Sequence, residues 1–278
     1  MRPRTATTAR ATVLAITSGK GGVGKTNVTI NVAIAMARLG LRVGVLDADF
    51  GLGNVDVLLG IAPVAHIGHV VAGEKRLQDV LVRGPHGITI IPAGSGLQSM
   101  TSLSGAQRDR LLAALDLACR DLDFLLIDTA AGISDNVMEM LKLAERIVLV
   151  TSLEPSAIVD AYALTKVLTG TDAGKDIGVV INSARSAEEA SVAFRQIETA
   201  TRRFLKRSVS YYGHITDDPA VRESVLVQRA IIDLLPQSPA SRCYRIVASR
   251  LAGLGPAQGG LRLAPRETAT CEGVSQCA

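Results

Sequence analysis

Residues 19–26 read GKGGVGKT, and their neighbours decide what this segment can become. Before it stands TVLAIT (12–17), a short β-branched apolar run of strand character. After it comes a long segment rich in Ala, Val and Ile (27–39), of helical length. A strand that stops at a glycine-rich loop and resumes as a helix is the context in which G-x-x-x-x-G-K-T wraps a phosphate. The glycines let backbone N–H groups approach without a Cβ in the way, and the helix N-terminus adds positive potential. Lys25 is placed to reach terminal phosphates and the Thr26 hydroxyl to ligate Mg²⁺. Gly19, Lys20, Gly21, Gly22, Val23, Gly24, Lys25, Thr26 and Asn27 are therefore the predicted nucleotide-binding segment. A plain glycine-rich turn would not need the complete pattern in this setting.

The alternation that begins there continues along the chain. Predicted strands are LRVGVLD (41–47), GITIIP (87–92), DFLLID (123–128), RIVLVTS (146–152), DIGVVIN (176–182) and SVSYYGHI (208–215). Predicted helices cover 104–120, 135–144, 155–168, 187–206, 219–228 and 238–254. Aromatics make up only 3% of residues and Trp is absent, so the core must come from Val, Ile, Leu and Ala, which suits buried parallel strands. The expected fold is α/β: a doubly wound, mainly parallel sheet with helices on both faces, as in P-loop NTPases. One domain is expected over 12–254, with a flexible N-terminal arm (1–11) and a flexible tail (255–278) rich in Gly, Pro and small polar residues.

Three aspartates fall at predicted strand C-termini, where ligands bind in open α/β sheets. Asp128 closes an apolar strand with a single carboxylate, which suits an outer-shell partner holding water on Mg²⁺. Asp47 and Asp49 are two residues apart at the end of another, so both side chains leave an extended chain on the same side. Paired carboxylates suit metal and water, although an Asp after a strand is also a common helix cap.

The loop's second lysine, Lys20, makes GKGGVGKT resemble the deviant phosphate loop of the ParA and MinD class of ATPases. Four longer blocks, LDADFGLGNVDVLLG (46–60), GITIIPAGSG (87–96), IDTAAGISDNV (127–137) and EPSAIVDAYALTKVL (154–168), resemble the FlhG family, also called FleN or YlxH. These blocks and the loop cover most of the chain to about residue 168; beyond it the match thins to scattered positions such as Asn182 and GHITDDPAVRESV. The resemblance implies a cytoplasmic ATPase that uses ATP and Mg²⁺, forms an ATP-bridged homodimer, visits the inner face of the membrane and governs flagellar number and placement. It assigns Lys20 to the phosphates of the partner's nucleotide, Asp49 to the attacking water, Asp47 to the magnesium neighbourhood and Asn182 to the adenine edge. It further implies contact with flagellar C-ring proteins and the GTPase FlhF. Where the family often carries a DQAxxLR segment that stimulates FlhF, this chain has MRPRTATTARA, which removes the basis for that stimulation. Thr216 stands where the family usually has Pro in a base-contacting loop.

Charge and cysteine usage narrow the rival readings. The net charge of +4 is modest for 278 residues, and the one basic cluster, Arg202, Arg203, Lys206 and Arg207, has no interleaved aromatics, so nucleic acid is not the expected partner. The four cysteines contain no C-x-x-C pair, which argues against an iron–sulfur carrier on the same fold. No run approaches the roughly 18 apolar residues that span a bilayer. In SRCYRIVASRLAGL (241–254), Tyr244, Val247, Leu251 and Leu254 share one helical face, and periodicity alone allows either a membrane anchor or the helix that closes the core.

Overall fold

The computed structural model describes residues 10–50, 53–93, 103–172 and 174–254. In chain order, β1 (Thr12–Ser18) leads through the glycine loop to α1 (Lys25–Arg38) and β2 (Val43–Ala48). Two short helices follow, α2 (Val55–Leu59) and α3 (Ile67–Ala72), then β3 (Val82–Arg83) and β4 (Thr89–Ile91). The second half alternates regularly: α4 (Gly105–Arg120), β5 (Phe124–Ala131), α5 (Asp135–Leu143), β6 (Arg146–Thr151), α6 (Pro155–Thr171), β7 (Asp176–Ala184), α7 (Ala187–Leu205) and β8 (Ser210–Thr216). The chain then closes with α8 (Pro219–Leu226), α9 (Ile231–Leu234) and α10 (Pro239–Gly253).

Among the described residues the eight strands form one sheet in the order β3-β4-β2-β5-β1-β6-β7-β8, parallel except for the β3–β4 pair. This is the expected doubly wound α/β architecture. Every residue of β1 and β2 is buried, as central parallel strands covered on both faces require. One face carries Leu111 and Leu115 of α4, Met140 of α5, Leu164 of α6 and Ile197 of α7; the other carries Ile30 and Ile34 of α1, Ile231 of α9 and Tyr244 of α10. Helix starts follow the local sequence. Ser104 accepts from the Gln107 amide at 3.3 Å while the Gln107 side chain accepts from the Ser104 amide at 2.9 Å, a reciprocal cap for α4. Ser238 caps α10, with Pro239 in its first turn.

The ambiguous terminal helix closes the core. Tyr244 and Val247 are fully buried and Leu251 nearly so, against α1 and β8, while Arg242, Ile246 and Ser249 face outward. At the other end, Ala11 is already buried and its amide bonds to the Cys119 carbonyl, and Arg10 pairs with Asp116. The rest of the predicted N-terminal arm and the tail from 255 onward lie outside the described residues. The elements the sequence did not announce are α2, α3, β3 and α9, all of six residues or fewer. Among the described residues no helix is long and apolar enough to cross a membrane.

Candidate functional site

Strand order brings the predicted residues together. Because β5 lies between β2 and β1, Asp47 and Asp128 become direct register partners on neighbouring strands, and the glycine loop springs from the next strand over. The loop itself has the backbone that its glycines permit. Gly22 and Gly24 take φ of 77° and 87°, in the left-handed region. A Cβ built on Gly21 or Gly22 would meet nothing within 4 Å, so the cradle is open, whereas one on Gly24 would lie 2.2 Å from the Asn182 amide nitrogen. Asn182, at the C-terminal end of β7, donates that amide to the Val23 carbonyl at 2.8 Å and so braces the loop from below. The N-terminus of α1 has no acidic residue in its first turn and no side-chain cap, which leaves its donors for an anion.

Beneath the loop the electrostatics are those of a site short of positive charge. Asp128 is buried, and loss of solvent raises its carboxyl above the ordinary carboxylate value; the Lys25 charge and hydroxyl hydrogen bonds from Thr26 and Thr29 oppose that rise. The Thr29 hydroxyl donates to Asp128 Oδ1 at 2.9 Å. Asp47 is also buried and is pushed up to about 7, first by desolvation and then by the charge of Asp128. Its carboxylate accepts the Asp49 amide at 3.1 Å and the Val55 amide at 3.2 Å, so it ties down the loop that enters α2. Asp49 is half-buried, and its charge is felt by both other carboxylates.

Two buried carboxylates beside one lysine and two threonine hydroxyls fit a hard divalent cation that shares its shell with water and substrate phosphates. Among the described residues no three His, Cys, Asp or Glu side chains converge as an all-protein cage. An open glycine cradle over such a pair of carboxylates can hold a nucleotide triphosphate with its metal and polarise the terminal phosphate.

Lys20 sits apart from this buried group. Its carbonyl accepts the Ser18 hydroxyl at 2.8 Å, and its ammonium turns to the start of α6, where it bonds to Glu154 and, at 2.9 Å, to Ser156 Oγ. Sequence reading missed Ser18, Thr29, Glu154 and Ser156. A Ser or Thr on a strand or helix carries no periodic signal, and the contact between Lys20 and Glu154 spans 134 positions. Only the block EPSA, with an acid just before a proline at a helix start, hinted at an exposed charge there.

Comparison with known proteins gives the following. The family model ParA, described as NUBPL iron-transfer P-loop NTPase, matches residues 10–252. The Antiactivator FleN of Pseudomonas aeruginosa is 45% identical over 239 residues, covering 86% of this chain and 85% of FleN. The Flagellum site-determining protein YlxH of Helicobacter pylori is 31% identical over 240 residues, 86% of this chain and 81% of YlxH. Among solved structures, the septum site-determining protein MinD of Pyrococcus horikoshii, complexed with Mg-ADP, superimposes with a TM-score of 0.71 at 25% identity. The superposition covers 88% of this chain and 97% of MinD.

Proposed function

The chain belongs to the ParA family of P-loop NTPases, with FleN and YlxH among its relatives, and from that premise we propose that it is a MinD-like ATPase that dimerises with ATP and regulates flagellar number and placement. The observation that carries this reading is the FleN match, 45% identity over 86% of this chain, beside a phosphate loop that holds both Lys20 and Lys25. The iron-transfer chemistry in the family description would need paired thiolates. Cys119 is buried on one face of the sheet, Cys243 lies on α10 against the other, and the sequence has no C-x-x-C pair.

In the proposed cycle the backbone from Gly19 to Gly24 and the first amides of α1, at Thr26 and Asn27, cradle the phosphates, with Lys25 on the terminal ones. Thr26 would hold Mg²⁺, with Asp47 and Asp128 fixing its water; when bound, the ion neutralises charge on the transferring phosphate. Asp49 positions the attacking water for in-line displacement, and Lys20 crosses to the partner's nucleotide in the closed dimer. Asn182 reaches the adenine edge from its place beneath the loop. Hydrolysis reopens the dimer. The protein works in the cytoplasm, with peripheral contact at the inner face of the membrane, and its partners are a second copy and the flagellar C-ring proteins. FlhF is a weaker candidate, because MRPRTATTARA before β1 does not match the DQAxxLR pattern.

Sedimentation velocity with ATP·Mg²⁺ tests the cycle. The expected outcome is a dimer that disappears in Lys20→Ala and becomes long-lived in Asp49→Ala; a Lys20→Ala protein that still dimerises with ATP would sink the cross-site assignment. The biological half is tested by expressing the protein in a bacterium lacking its own flagellar-number regulator and counting filaments by electron microscopy. Restored numbers are expected, and an unchanged count with an intact ATP cycle would overturn the flagellar role.

A further inference from the structure

Lys20 is the residue that the proposed cycle sends across to a partner, yet this chain already holds it. Its ammonium bonds to the carboxylate of Glu154 and to the hydroxyl of Ser156, at the N-cap and first turn of α6 in the same subunit. The backbone beneath it has little freedom to point elsewhere. A Cβ on Gly19 would lie 2.3 Å from the Asp160 carbonyl oxygen, so the loop rests directly on the second turn of α6, and Ser18 pins the Lys20 carbonyl. The pair itself is superficial: the Lys20 and Glu154 side chains keep 37% and 64% of their exposure. A contact of this kind is cheap to open and weak in water.

We infer that Glu154 and Ser156 form an intramolecular latch that stores Lys20 in the single subunit and sets the threshold for ATP-dependent dimerisation. The inference rests on the reading of Lys20 as the cross-site lysine. An ammonium carries one charge and three donors, so a Lys20 already neutralised by its own Glu154 must leave it to complete the partner's site. Crossing therefore requires that the partner's nucleotide compete successfully with one exposed carboxylate. A terminal phosphate adds negative charge where a diphosphate has none, so the latch helps to make the closed dimer specific for the triphosphate. Each dimer opens two latches, and the effect of one enters the dimer constant squared. A surface pair of this exposure is worth a factor of about 3, and hence about 10 in the dimer constant.

The experiment measures the ATP-dimer dissociation constant of the full chain by sedimentation equilibrium, in an Asp49→Ala background that keeps the nucleotide intact. Glu154→Gln preserves size and removes the charge; about tenfold tighter dimerisation is expected, with a smaller tightening for Ser156→Ala. Loss of a merely structural contact would weaken the dimer, so tightening separates the two roles. Unchanged or weaker dimerisation by Glu154→Gln with unchanged circular dichroism overturns the latch. Should Glu154→Gln fail to fold, Glu154→Asp keeps an acid at the N-cap position while shortening its reach to Lys20, and its failure to tighten the dimer is equally fatal. Lys20→Ala in the same assay separates the two readings. If it still dimerises, the cross-site reading falls and the latch with it; if it does not, and Glu154→Gln gives no tightening, the latch alone falls.

Discussion

The two lysines of the phosphate loop are five positions apart and work beside different carboxylates. Lys25, half-buried at the start of α1, adds its charge to the field around the buried carboxylate of Asp128 in β5. Lys20 lies at the surface, on the first turn of α6, with a carboxylate partner that is mostly in water. Desolvation makes the first arrangement costly to disturb, because a buried carboxylate left without its cation must be neutralised or stay unpaired. High dielectric makes the second easy to undo. In the proposed cycle one short loop therefore combines a charge that holds the phosphates and a charge that changes partners.

The largest test of that contrast is Lys25→Ala. Removing that cation also removes the side chain that the proposed cycle puts on the phosphates, and a charge-assisted contact is worth about 1.5–3 kcal/mol, so nucleotide affinity should fall by about 10- to 100-fold. Titration with a fluorescent nucleotide, at protein concentrations too low for dimers, checks it. Lys20→Ala under the same conditions should stay within a few-fold of the parent chain. Equal losses from both variants would mean that the loop does not divide its labour in this way.

A second test stays within the buried half and is smaller. Thr29 donates its hydroxyl to Asp128 at 2.9 Å and is completely buried. Thr29→Val keeps the shape and deletes the donor, which leaves a buried carboxylate one hydrogen bond short, at about 1–3 kcal/mol. Thermal unfolding should register this as a drop of several degrees, whereas Ser156→Ala, at the exposed half, should change the midpoint by little. A Thr29→Val protein as stable as the parent would show that Asp128 does not depend on its hydroxyl partners.

The same division explains what could be read from the chain alone. The buried half announces itself, since a left-handed backbone at Gly22 and Gly24, apolar strands ending on Asp47 and Asp128, and a helix starting without a cap are each dictated by local chemistry. The longer helices and most strands are legible for the same reason, because their apolar periodicity is local. The helix at 239–253 could only be half read: its pattern fixed which face is buried, but burial against α1 and β8 rather than lipid is decided by the fold, with α1 some 200 positions away. Short elements such as α2 and α9 have too few turns to establish a period. The Lys20 partners are invisible for a different reason, since an exposed Glu at a helix start is compatible with many neighbours and only the fold brings this one to the loop. Asn182 shows the limit from the other side: family resemblance singled it out, and the structure adds a loop-bracing hydrogen bond to Val23 that nothing in DIGVVIN foretells.

The smallest effect gives the sharpest comparison, because it measures the energy of the exposed pair directly. A double-mutant cycle of Lys20→Ala and Glu154→Gln, followed by thermal unfolding without nucleotide, isolates their coupling from everything else each side chain does. At about 0.05 M salt the coupling should be on the order of 0.2–1 kcal/mol, the range of surface ion pairs. Near 1 M salt the screening length shrinks to about 3 Å and the coupling should all but vanish. The corresponding cycle of Lys25→Ala with Asp128→Asn should keep more of its value over the same range, since the Asp128 carboxylate is buried away from solvent ions. If the Lys20–Glu154 coupling survives high salt undiminished, the contact is a structural strut and Lys20 is no freer to change partners than Lys25.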